Sequence, residues 1–365
     1  MEKRDEYDFG GQFSEEFNKL RRDIKRPNIL VMGATGAGKS SVVNLVFGQE
    51  LAAVGAGKPV TEGVLAYENQ LVRIYDSEGY ESGQQQQERF KSHVLNFIKE
   101  KESDLTARVH LVWYCISQAN HRVFDIDLET VRAVAAMQVP LAVVMTQADQ
   151  VSESDSAQML ATVRDNCPGV TIFEISTNPD VGLTVDPLIQ WAHDNLSEAL
   201  RIGFISASKK AIKLKRRESH KIVAQHSATA AAMGASPIPF SDAPLLVGNQ
   251  MAMLARLASI WDLPGLQTVA GGGAFGMLVS QLGRTLAGNL AKAIPGVGSW
   301  VGGAMNASVA SALTGAIGYA ITEICEQVVT DELKGGRMKE LSEYFNTEIM
   351  AEMVKQAMRR GVANA

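Results

Sequence analysis

The stretch "GATGAGKS", residues 33–40, decides the fold. It meets the G-x-x-x-x-G-K-S pattern, follows the apolar run "NILVM" and leads into the helix-like "SSVVNLVF". A glycine-rich turn between a strand and a helix aims backbone N–H groups inward around a phosphate chain. In that cradle a lysine here numbered Lys39 reaches the β and γ oxygens, and the Ser40 hydroxyl binds Mg²⁺. The candidate phosphate-binding residues are Gly33, Ala34, Thr35, Gly36, Ala37, Gly38, Lys39, Ser40 and Ser41.

Outward from this loop, short β-rich runs alternate with helix-like segments. The runs are "NILVMG", "VLAYENQLVRIYD", "ARVHLVWYCIS", "VPLAVVM" and "VTIFEIS", with helices starting near Gly38, Gln85, Phe124, Glu153 and Asp186. Such alternation predicts an α/β domain, a mainly parallel sheet with helices on both faces. At 365 residues the chain exceeds a usual single core, which predicts a second domain. After residue 200 no strand run appears and the chain turns rich in alanine, glycine and small polar residues. The expected division is an N-terminal helical extension (1–26), an α/β domain (27–200), a basic connecting helix (201–233) and an all-helical domain with a hydrophobic hairpin (234–365). The two prolines of "MGASPIPF" close the connecting helix, since proline cannot continue one.

Phosphate binding alone leaves the base open. After the strand "LAVVM" comes "TQAD", Thr146 to Asp149, in the position of an N/T-K-x-D element. Asp149 would accept hydrogen bonds from the ring N–H and exocyclic amine of guanine. Adenine cannot satisfy that carboxylate, so the wrong base is costly. Between the two motifs lie "GKPVTEGV" and "YDSEGY". By its order in the chain, Thr61 is the candidate switch threonine for Mg²⁺ and the γ-phosphate. Asp76 would hold Mg²⁺ through water, and the Gly79 N–H would contact the γ-phosphate. The predicted ligands are thus GTP or GDP with Mg²⁺; the metal residues are Ser40, Thr61 and Asp76.

On these motifs the domain resembles a GTPase of the translation-factor-related class, near the Era, TrmE and septin-like branch. The resemblance implies a catalytic set of Lys39, Thr61 and Gly79, and brings Ser176, in "EIST", towards the base carbonyl beside Thr146, Gln147 and Asp149. The sequence departs from the pattern at three positions. Tyr80 replaces the water-positioning glutamine, Gln147 the lysine that stacks over the base, and Gly36 the asparagine of potassium-activated relatives. A tyrosine cannot act as the missing amide. Low basal GTPase activity is therefore expected, with the water positioned by Glu78, one of Gln84 to Gln87, Arg122, or a group supplied in trans by a second copy across the nucleotide face or by a partner.

"ATAAAMGASPIPFSDAPLLVGNQMAMLARLASIW" and "KAIPGVGSWVGGAMNASVASALTGAIGYAITEI" resemble the helical domain of unknown function found in the bacterial YcjF family and fused to Era-like GTPases. The 30 uncharged residues from Ala293 to Thr322 are long enough to span a bilayer but poor in large aliphatics. A buried core hairpin, conditional insertion and a constitutive span all stay open. Small residues at Gly298, Gly302, Gly315 and Gly318 suit close helix contact in each case. The segment 201–221 carries eight cations against one acid, Glu218. That is either a solvated helix face or a contact for an anionic membrane surface.

A formal charge of −5 gives no general attraction to nucleic acid. Three widely spaced cysteines suit a reducing compartment, and the charged N-terminus lacks a signal-peptide core. The expected location is the cytoplasm, with peripheral inner-membrane association open. The expected role is a GTP-dependent switch with an unidentified protein effector. A dynamin-like membrane assembly protein is the alternative, and a ribosome or RNA assembly factor the least favoured reading.

Overall fold

The computed structural model describes residues 9–48, 58–61, 63–81, 83–234, 242–266, 307–335, 340–345, 352–353 and 356. The chain divides into two compact units, residues 24–211 and residues 1–23 with 212–365. The first helix, α1 (Phe9–Asp23), therefore belongs with the C-terminal part, and the division falls at 211 rather than 200.

The first unit is built on seven strands: β1 (Asn28–Gly33), β2 (Lys58–Thr61), β3 (Val64–Glu68), β4 (Arg73–Ser77), β5 (Leu111–Ser117), β6 (Leu141–Thr146) and β7 (Thr171–Glu174). Their order is β2-β3-β4-β1-β5-β6-β7. From β4 to β7 neighbours run parallel, whereas β2–β3 and β3–β4 are antiparallel. Among the described residues, the α-helices of this unit are α2 (Lys39–Phe47), α3 (Gln84–Glu102), α4 (Asp125–Ala135), α5 (Glu153–Asn166), α6 (Asp186–Asn195) and α7 (Glu198–Ala207). Every residue of β1, β5 and β6 is buried, the pattern of central strands covered on both faces.

Two expectations change here. "VLAYENQLVRIYD" is a hairpin, not one strand: the Asn69 Oδ1 accepts from the N–H groups of Leu71 (2.8 Å) and Val72 (2.9 Å), closing a turn that sends β4 back along β3. Asparagine competes for its own backbone in this way. β2, with Pro59, was not among the expected runs; it lies at the edge of the sheet, where a missing N–H is tolerated.

The expected 201–233 helix is also two helices. Ser208 is extended (φ −78°, ψ 106°) and ends α7, and α8 (Ile212–Gly234) starts four residues later. The Ser208 hydroxyl, fully buried, donates to the Val46 carbonyl in the last turn of α2 (3.2 Å). That satisfies one of the carbonyls a helix end leaves unpaired. The eight cations consequently do not share one face. Arg201 donates to the carbonyls of His193 and Leu196, Lys215 is buried, Arg216 makes a two-pronged pair with Glu326, and Lys221 pairs with Glu218.

In the second unit α1, α8, α9 (Asp242–Trp261), α10 (Ala307–Leu333) and the short α11 (Leu341–Tyr344) pack together, α10 against α8 and α9, and α1 against α9. Phe13 and Phe17 stack 5.7 Å apart in the core, and Arg21 pairs with Asp262 at 2.5 Å. The Trp261 ring lies 5.9 Å from the buried Lys215 ammonium and donates its N–H to Ser219. By length and composition α10 could cross a membrane, but its most apolar 18-residue stretch, with a mean hydropathy of 1.3, is 67% buried. The stretches 235–241 and 267–306, with the "SPIPF" break, Gly298, Gly302 and the first limb of the expected hairpin, lie outside the described residues.

Gly318 sets the approach of α10 to its neighbours: a Cβ there would lie 2.6 Å from a Val223 methyl and 2.9 Å from the Met253 sulfur. Gly318→Leu should lower the stability of the helical unit by about 2–3 kcal/mol through overpacking, read as a lowered denaturation midpoint by circular dichroism. In the first unit, His110 Nδ1 accepts the Asn28 N–H at 2.9 Å, and burial pushes its pKa down to about 4. The unfolded chain takes up that proton near pH 6.5 and the folded chain only near 4. The contribution is therefore complete above 6.5 and lost as pH falls towards 4. His110→Asn should flatten the urea-midpoint slope between pH 6.5 and 4.5.

Candidate functional site

The loop between β1 and α2 is shaped by glycine. Gly36 and Gly38 both have φ of +78°, a region costly for residues with a Cβ. At Gly38 a Cβ would also press on the Thr146 side chain at 3.0 Å. The Thr146 hydroxyl itself donates to the Ala37 carbonyl at 2.8 Å. The "TQAD" element is thereby tied to the phosphate loop across the sheet.

Lys39, the first residue of α2, donates from Nζ to the carbonyls of Gly33 (3.1 Å) and Ala34 (3.0 Å). Its ammonium thus lies along the loop that would surround a phosphate chain. Burial lowers its pKa and the nearby Asp76 opposes the shift. Asp76, near the end of β4, is the reciprocal case: burial raises its pKa and Lys39 opposes that. Ser40 and Ser41 follow Lys39 on exposed positions of α2.

Mg²⁺ is implied by the motif, and the residues fit it. The Asp76 Oδ1 is buried without a hydrogen-bond partner, which is costly unless a donor or cation is supplied. A hard cation takes oxygen ligands and keeps several of its waters, which suits this carboxylate and the exposed Ser40 hydroxyl. Thr61 ends β2 and pairs through its backbone with Val64; its side chain lies outside the described part.

Gly79 packs directly on the phosphate loop: a Cβ there would lie 2.3 Å from the Thr35 nitrogen and 2.6 Å from its Cα. The Thr35 N–H in turn donates to the Tyr80 carbonyl at 3.1 Å. The Tyr80 side chain is buried, its ring 5.2 Å from Phe90 and its hydroxyl donating to Asp127 Oδ1 at 2.5 Å. Tyr114 on β5 donates to the same oxygen at 2.8 Å, and Asp127 Oδ2 accepts the Phe124 N–H at 3.1 Å. Burial pushes the phenol of Tyr80 well up, and the Asp127 carboxylate reinforces this. Tyr80 is thus an anchor in the core.

Among the residues considered for positioning water, Glu78 and Gln86 line a cavity of about 380 Å³ together with Gly63, Gly79, Arg89 and His93. Gln84 and Gln85 are exposed on the first turn of α3, and Arg122 stacks on Phe124 at 4.5 Å. Asp127 and Tyr114 escaped the sequence reading. An acid in the first turn of a helix suits the macrodipole wherever it occurs, and nothing local marks this one as buried.

At the other end of the site, Asp149 and Ser176 meet: the Ser176 hydroxyl donates to Asp149 Oδ1 at 2.6 Å and accepts the Asn178 N–H at 2.9 Å. Asp149 is exposed, so its carboxylate is open to a ligand edge. Gln147 takes the left-handed conformation (φ 55°) and accepts a hydrogen bond from the Ser117 hydroxyl. The predicted base and phosphate residues thus converge along the C-terminal ends of β1, β4 and β6 and the segment after β7. In open α/β sheets ligands bind at that edge.

Residues 28–147 match the family described as 50S ribosome-binding GTPase. The chain is 25% identical over 160 residues to the probable GTP-binding protein EngB of Aquifex aeolicus (strain VF5), covering 43% of this chain and 82% of that protein. It is 23% identical over 143 residues to the probable EngB of Flavobacterium psychrophilum, covering 38% of this chain and 67% of that one. Among solved structures, a probable GTP-binding protein engB aligns over 46% of this chain and 97% of its own length, at 16% identity and a TM-score of 0.35. Over residues 28–147 the chain is thus similar to 50S ribosome-binding GTPases, and among the described residues no strand follows β7.

Proposed function

We propose that this protein is a GTP-binding switch that hydrolyses GTP slowly with Mg²⁺ and couples its nucleotide state to the helical unit as effector-facing module. The observation that carries the reading is the pair of bonds joining the site's two ends. Thr146 fastens to the Ala37 carbonyl of the phosphate loop, and three residues on Asp149 offers a carboxylate oriented by Ser176. One rigid frame then fixes the distance between a phosphate cradle and a guanine-reading carboxylate.

Within that frame the loop N–H groups and Lys39 hold the phosphates, Asp149 accepts from the guanine edge with Ser176 beside it, and Gly79 offers its N–H where a γ-phosphate would lie. Ser40, Thr61 and Asp76 would hold Mg²⁺, which would supply neutralising charge to the phosphate oxygens. The domain's electrostatics favour hydrolysis without a dedicated base. With Tyr80 turned into the core no side chain at that position orients water, which supports a low basal rate. Glu78 and Gln86, beside Gly79, are the candidates within the chain, and a group supplied in trans is the other source. The expected location is the cytoplasm. An anionic membrane surface is a weaker partner reading, because Lys215 is buried and Arg216 and Lys221 pair with acids.

Asp149→Ala should weaken guanine-nucleotide binding roughly hundredfold, through two lost charge-assisted hydrogen bonds, while leaving the fold intact by circular dichroism. Lys39→Ala should abolish measurable turnover. Titration with a fluorescent GDP analogue and phosphate release check the two, and a Lys39→Ala protein with normal binding and turnover would refute the reading.

The description of the matching family favours a second reading, in which the effector is the large ribosomal subunit. It predicts co-sedimentation with purified 50S particles that is stronger with a non-hydrolysable GTP analogue than with GDP. Equal recovery in both states, or none, would exclude it.

A further inference from the structure

The knot around Asp127 does more than fill the core, because one of its three donors belongs to the segment that touches the phosphate loop. We infer that Asp127 is a positioning residue for γ-phosphate recognition: through the Tyr80 hydroxyl it fixes the Gly79–Tyr80 peptide against the phosphate loop, and so sets the preference for GTP over GDP. The inference rests on the GTP-binding reading above and deepens it.

The geometry has three parts. Gly79 sits so close to Thr35 and Ala34 that no side chain fits between them. Tyr80 is held at two points, its carbonyl by the Thr35 N–H at 3.1 Å and its hydroxyl by Asp127 at 2.5 Å. Asp127 is itself immobilised, 2% exposed, in the first turn of α4, with its other oxygen on the Phe124 N–H and a second hydroxyl, from Tyr114, on the first. All three partners donate, so the carboxylate serves only as acceptor, and the Tyr80 hydroxyl has its proton committed to it.

The Gly79 N–H is one residue from this clamp. A donor held in place before the ligand arrives loses little on binding, whereas a loose one must be ordered at that moment. Releasing Tyr80 therefore weakens the contact to a third phosphate. The Lys39 ammonium, which would hold the first two phosphates, is bonded instead to the Gly33 and Ala34 carbonyls and makes no hydrogen bond to Tyr80.

Tyr80→Phe keeps the ring on Phe90 and removes only the hydroxyl; Tyr114→Phe removes the other hydroxyl from the same oxygen, at a residue outside the switch segment. Affinities of a non-hydrolysable GTP analogue and of GDP, with Mg²⁺, are measured for the wild type and both variants, alongside thermal unfolding. The expected result is a GTP-to-GDP affinity ratio about tenfold lower in Tyr80→Phe, unchanged GDP binding, and an unchanged ratio in Tyr114→Phe despite its lowered unfolding temperature. Asp127→Asn, which must present an amide to one of its donors, should reproduce the Tyr80→Phe ratio. An unaltered ratio in Tyr80→Phe, or an equal drop in Tyr114→Phe, would overturn the inference while leaving the nucleotide reading standing. A wild-type protein that binds neither nucleotide would overturn both.

Discussion

The hydrogen bond from Thr146 to the Ala37 carbonyl is the constraint on which the site depends. It joins the end of β6 to the turn before α2, two segments more than a hundred residues apart in sequence. The bond is buried, so breaking it would strand a carbonyl away from water. Gly38 follows the same constraint: its left-handed backbone and missing Cβ let the turn lie directly on the Thr146 side chain. Lys39 then begins α2 with its ammonium folded back over the loop carbonyls. A fixed separation between this loop and Asp149 is thereby built into the sheet.

Around this frame the unsatisfied groups are as informative as the satisfied ones. Asp76 keeps a buried oxygen without a partner, opposed in charge by Lys39. Asp127, more deeply buried, has both carboxylate oxygens hydrogen-bonded within the fold. Both carboxylates are raised in pKa by burial, yet only the first is left for a ligand.

Much of this was legible in the sequence because it is local. The phosphate loop, its flanking strand and helix, and the helix starts at 84, 125, 153 and 186 each follow from residues within a turn of one another. The nearness of Ser176 to Asp149 came from the family resemblance alone, since the two are 27 residues apart. What escaped was set by distant partners. Asn69 reverses the chain inside what reads as one long strand, because its side chain caps the N–H groups ahead of it. Ser208 breaks an unbroken helical pattern to reach Val46. The retraction of Tyr80 required Asp127 and Tyr114, and no spacing in the sequence links those three. The basic run from 201 to 221 looked like one charged face, but Lys215 is inside the helical unit and Arg216 is spent on Glu326.

The most direct test is a crystal structure of the protein with Mg²⁺ and a non-hydrolysable GTP analogue. The account predicts guanine on Asp149 beside Ser176, the metal between Ser40 and the Asp76 side, and the Tyr80 ring still against Phe90 with its hydroxyl on Asp127. A nucleotide base elsewhere, or Tyr80 swung out over the γ-phosphate, would contradict it.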